Sequence, residues 1–123
     1  MNELQIVDDV SSLLAKVAYD TYKKGSLEID LAGLSKQAIA ETVEDMSAAM
    51  VRETLYKTFP IFKKHESGVK LVNYLTGIGI RALAVWTFEY VTSTPRSMKT
   101  IFMEQVSIQV IKELISAFYK YQS

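Results

Sequence analysis

One histidine, a cluster of three acids and a run of lysines are the residues of this chain whose types and spacing could do chemistry. His65 is the sole histidine and is followed by Glu66. A zinc site needs three or four ligands. The chain has no cysteine, and Lys63 and Lys64 would repel a cation at that point. His65 therefore reads as a solvated loop residue. Glu41, Glu44 and Asp45 fall at i, i+3 and i+4, which is one face of a helix. Acids in that pattern hold metals in some bundles, where a second helix supplies matching groups, often as Glu-x-x-His. The last apolar segment offers only Glu104 and Glu113, nine apart and off one face, and no Glu-x-x-His occurs. No metal and no cofactor are expected, and the acids read as a solvated face.

Covalent catalysis finds no better footing. An activated serine, threonine or lysine needs a base beside it, and no Gly-x-Ser-x-Gly elbow is present. Gly77-Ile78-Gly79 is too short for a nucleotide fingerprint and lies inside a helical pattern, where the fingerprint would follow a strand. The expectation is a protein that is not an enzyme. Lys57, Lys63, Lys64 and Lys70 form a basic segment interleaved with Tyr56, Phe59, Phe62 and Tyr74, and Arg96 with Lys99 stands at the start of the next helix. Cations and aromatic rings together suit phosphates and bases. A pI near 6.6 argues against nucleic acid as the main partner, so anion binding at these four lysines is the runner-up reading.

The elements that must position these residues are helices. The chain has 123 residues, 49% of them hydrophobic, which fits one domain over 1–123 with a core of its own. The N-terminal residues lack the basic-then-apolar order of a secretion signal, so a cytoplasmic location is expected, or a virion-associated one for a viral protein. Fourteen basic and fourteen acidic side chains cancel, but unevenly. Residues 26–50 hold five acids against Lys36, a net of −4, and residues 51–100 hold eight bases against three acids, a net of +5. Such segments can pair within one molecule or between neighbours.

Apolar residues recur at three and four spacing nearly throughout. The first helix is expected over about 2–24, with Leu4, Val7, Leu14, Val17 and Ala18 on its buried stripe and Gly25 after its end. Leu27 to Leu31 alternates like a short strand that has no partner. Asp30 is the expected N-cap of a second helix, with Gly33 placing its start between Asp30 and Ser35 and Pro60 stopping it. Residues 61–68 read as a basic loop. A third helix is expected over about 69–91, and a fourth begins at Thr94 as N-cap with Pro95 in first position and runs to about Tyr119. The fold class is all-α, about four helices in a small bundle round a central apolar helix.

That third segment decides the rest. Leu71 to Val91 carries only Arg81 and Glu89 as charges and is apolar on every side, so it must be surrounded by its own domain, by copies or by lipid. About 20 residues suffice to cross a bilayer, but a central arginine costs about 2.5–3.5 kcal/mol on an insertion scale. A buried helix with Arg81 paired is favoured over a span, the partner being Glu89 or an acid of the second helix. Gly77 and Gly79 each cost about 1 kcal/mol inside a helix, and together with Ala84 they suit close approach of a neighbouring helix. On the fourth helix Ile101, Ile108, Ile111, Ile115 and Phe118 repeat near every 3.5 residues, a stripe wider than one partner covers once Val106, Val110 and Leu114 are added. The functional expectation is a helical assembly or interaction protein that homo-oligomerises through its third and fourth helices, in the manner of a small phage or viral structural or accessory protein. Ile101, Ile108, Ile111, Ile115, Phe118, Gly77 and Ala84 are its interface candidates. Membrane association is the third reading.

Overall fold

A computed structural model describes residues 3–122, with side chains described over 10–121. The described residues form four helices, α1 (Glu3–Lys24), α2 (Leu31–Thr58), α3 (Glu66–Thr92) and α4 (Met98–Gln122), with a 3-10 turn at Pro60–Lys63. No strand occurs among the described residues, so the alternation at Leu27–Leu31 belongs to a connector. Gly25 opens that connector with φ of 76°, a left-handed conformation that a glycine adopts without a Cβ penalty. Of the stripe expected to be buried on α1, Leu4 and Val7 lie outside the described side chains, Val17 is half-buried, and Leu14 and Ala18 are exposed, because α1 turns Ser11, Ser12 and Ala15 inward instead.

The helices form two closely packed pairs, α1 with α4 and α2 with α3. The pairs join mainly through α3 and α4, while α1 and α2 touch lightly. The apolar core between them is small: Ala40, Ala82, Val85 and Ile101 form its centre, and Ile78 and Ile108 are also fully buried. Alanines bring the backbones close but remove little apolar surface from water, so this core holds less than its length of helix suggests.

Helix α2 starts at Leu31, with Asp30 at its N-cap as expected, and the Leu34 N–H closes the first turn on the Asp30 carbonyl at 2.9 Å. Two starts differ from the sequence reading. Helix α3 starts at Glu66, inside the stretch read as a loop, with His65 before it. Helix α4 starts at Met98, not beside Pro95, and its cap is Ser97, whose hydroxyl accepts the Thr100 N–H at 3.2 Å. Thr94 and Pro95 stay outside the helix because Arg96 is tied down. Its backbone N–H donates to the Glu89 carboxylate at 3.1 Å, and its guanidinium binds the same group.

Candidate functional site

The interior between the two helix pairs is a polar seam. Gln37 of α2 and Gln105 of α4 are 1% and 0% exposed and exchange reciprocal amide hydrogen bonds of 3.0 and 2.9 Å. Arg81 of α3 donates its Nε to Gln105 at 3.2 Å, one Nη to the Glu44 carboxylate at 2.8 and 3.0 Å, and the other to Gln109 at 2.6 Å. The buried arginine thus takes its acid from α2, and Glu89 serves a different cation. Gly77 makes this geometry fit, since a Cβ there would collide with the Glu44 carboxylate. The missing side chain admits a carboxylate, not the neighbouring backbone expected of it. Gly79 faces open space.

A second ionic group closes the end of the bundle that holds residues 25–30 and 93–97. Arg96 binds Glu89 at 2.6 Å and Glu104 at 2.7 Å, Lys36 reaches Glu89 at 3.3 Å, and Lys16 reaches Asp20 at 2.9 Å and Glu104 at 3.8 Å. Burial works to raise the Glu89 pKa, but hydrogen bonds from Arg96, its charge and that of Lys36 outweigh it and hold the carboxyl down at about 2. Hydrogen bonds to Glu89 first and Glu104 second push Arg96 above its ordinary value. Glu41, in the seam, is raised by burial, against which the Gln37 hydrogen bond works only in part.

A cavity of about 170 Å³ lies among Lys16, Asp20, Lys36, Arg96 and Glu104. The buried charges lining it already face one another. No buried side-chain nitrogen or oxygen among the described residues lacks a hydrogen-bond partner, so the seam is complete without a ligand. No group of three potential metal ligands occurs among the described residues. The seam therefore aligns four helices.

The outside is where unfilled capacity lies. Between α2 and α3 runs a groove of about 630 Å³ lined by Ile39, Val43 and Val51 on one side and Ile80, Leu83, Phe88 and Val91 on the other. Its polar groups are hydroxyls of Ser47, Thr87 and Thr92, and no charge lines it. Leu83 is 55% exposed and Val91 76%. Helix α3 is long and apolar enough to cross a bilayer, yet only 39% of its most apolar stretch is buried within the chain. Helix α4 carries a second bare strip, with Met103, Val110, Leu114, Phe118 and Tyr121 exposed on the side away from Ile101 and Ile108.

The structure divides the residues singled out from sequence. Ile101 and Ile108 lie in the chain's own core at 0% and 1% exposure, where no partner can reach them while the bundle is intact. Ile111 and Ile115 are half-buried, Ala84 lines the groove, and Phe118 is open. Arg81 and Glu89 are both buried. Lys57, Lys63, Lys64 and Lys70 are exposed at the α2–α3 end. There Lys57 meets Glu53 at 3.5 Å, Lys70 meets Glu66 at 3.3 Å, and Lys63 lies over the Tyr56 ring. Arg96 and Lys99 sit at the opposite end of the bundle, so the six cations form no continuous surface. His65 is exposed ahead of α3, and Glu44 and Glu41 turn toward the seam while Asp45 stays exposed. Sequence reasoning missed Gln37, Gln105, Gln109, Glu104 and Lys16. One signal was present: Gln105 lies four residues after Ile101 and three before Ile108, inside the apolar stripe.

No known protein family, curated protein or solved structure matches this chain.

Proposed function

We propose that this chain is a non-enzymatic helical assembly protein that forms homo-oligomers through the outer faces of its α2–α3 and α4 helices. Surface area carries the reading. The chain exposes 8372 Å², where a monomer of this mass exposes about 6,700 Å². The excess is about 1,700 Å² of total surface, and the exposed residues include Met46, Met50, Leu83, Val91, Leu114 and Phe118, each half or more in water. Large apolar side chains exposed together support a contact that the lone chain does not make. The small alanine-rich core supports the same reading, because association stabilises a marginal fold by mass action.

Lipid is the competing occupant for α3, whose groove no charge lines. Anion binding at Lys57, Lys63, Lys64 and Lys70 is less well supported, since two of the four sit beside carboxylates and Arg96 and Lys99 lie elsewhere. The test is light scattering after size-exclusion chromatography, without detergent and at two concentrations. A discrete multimer is expected. Leu83→Lys should weaken association more than tenfold while leaving helical content unchanged, because the new charge lies in water in the lone chain and in apolar surroundings in the assembly. A wild-type protein that stays monomeric at both concentrations overturns the reading.

A further inference from the structure

We infer that the assembly is directional: the outer ridge of α4 from one copy lies in the α2–α3 groove of the next. This rests on the self-assembly reading above and states which surface fills the groove.

Area is the first argument. A standard interface removes about 800 Å² from each partner. A directional contact uses two separate faces on every copy, about 1,600 Å² in all, which is close to the whole excess. A two-fold contact of groove on groove uses one face and leaves the α4 ridge in water. Position is the second argument. The groove lies on the outside of the α2–α3 pair. The ridge lies on the side of α4 turned away from Ile101 and Ile108, which are buried against the rest of the bundle. The two faces of one chain cannot meet each other, and a neighbouring copy on each covers both.

Shape and chemistry agree. Along α2 the groove runs from Ile39 to Val51, twelve steps or about 18 Å. Val110, Leu114, Phe118 and Tyr121 follow one another at spacings of four, four and three. Such spacing places an apolar ridge along one side of a helix for helix-in-groove docking, and this one is about 17 Å long. Val110 is 45% exposed and Leu114, Phe118 and Tyr121 more so, so the ridge is not held by its own bundle. A head-to-tail contact of this kind closes into a ring when its rotation closes and otherwise extends into a filament.

Mixing two variants tests the direction. Leu83→Lys disables the groove and Phe118→Lys disables the ridge. Circular dichroism confirms that each still folds, and Val43→Lys with Leu114→Lys repeats the design if either does not. Each variant alone should be monomeric. Their equimolar mixture should give a two-chain complex and nothing larger, because one chain retains only its ridge and the other only its groove. A Phe118→Lys protein that keeps the full multimer, or a mixture that stays monomeric, overturns the directional contact and leaves self-assembly standing. A wild-type monomer overturns self-assembly itself. A wild type that forms no multimer but floats with neutral phosphatidylcholine vesicles overturns both and assigns the groove to lipid.

Discussion

Between the helix pairs lie Gln37, Gln105, Arg81, Glu89, Glu104 and Lys16, all under a tenth exposed. On the outside of the same helices lie Leu14, Met46, Met50, Leu83, Val91, Leu114 and Phe118, exposed by half or more. The usual division puts large apolar groups inside and leaves charged ones in water. The inside of this bundle is specified by hydrogen bonds with fixed partners, each of which demands one register of the four helices. The large apolar groups on the outside keep half or more of their surface in water. Polar seams contribute little net stability but penalise every misalignment, whereas apolar faces contribute stability with little directional demand. The contrast teaches that this chain aligns itself through its polar groups and leaves much of its apolar surface in water.

Breaking the seam should have the largest effect. Arg81→Ala leaves Glu44, Gln105 and Gln109 facing a hole, and loss of one member of a buried pair costs about 3–5 kcal/mol. Lys63→Ala removes an exposed side chain and should change stability by less than about 0.5 kcal/mol. Urea unfolding of the two variants compares the regions directly, and equal midpoints would mean that Arg81 is not held as described. A smaller loss is expected from Gln105→Leu, about 1–3 kcal/mol, because the Gln37 amide and the Arg81 Nε lose their partner. The double variant Gln37→Leu/Gln105→Leu should recover part of that loss, since it removes one of the two orphans. A double variant less stable than the sum of the singles would contradict the reciprocal pair.

Acid should act on the ionic end of the seam and produce the smallest of these effects, because the Arg96 side chain that holds Glu89 is 40% exposed and water screens the pair. Glu89 has a folded pKa of about 2 against an ordinary 4.5. A carboxyl depressed in the folded state contributes stability above its ordinary value and loses it as pH falls toward the folded value. Unfolding free energy should therefore decline between about pH 5 and pH 2, and Glu89→Gln should flatten that decline. An unchanged slope in the variant would show that other carboxyls carry the acid sensitivity.

Much of the fold was legible along the chain. Apolar spacing marks four helices, Pro60 ends α2, and the lysines before Gly25 end α1, because these signals act over a single helical turn. The start of α4 was not legible. Thr94-Pro95 is a good local cap, but Glu89 holds Arg96 through the backbone and the side chain, and a contact across the α3–α4 connector outweighs a local preference. Ile101 and Ile108 share the spacing of Ile115 and Phe118, yet the first two are core and Phe118 is open. Helical period says which residues share a stripe but not how far along the helix the partner helices reach.

The pattern of residue types by itself determined an all-α chain with more apolar helix than one small core absorbs, and it marked Arg81 as a charge in need of a partner. Only the tertiary structure decided that Glu44 and not Glu89 takes that role, that Gln37 and Gln105 meet, and that the uncovered faces lie along the α2–α3 groove and the outer side of α4. Local spacing reports the period of each helix, which backbone geometry dictates. Which stripe meets which is decided by side chains far apart in sequence, and by which polar groups find partners once water is excluded.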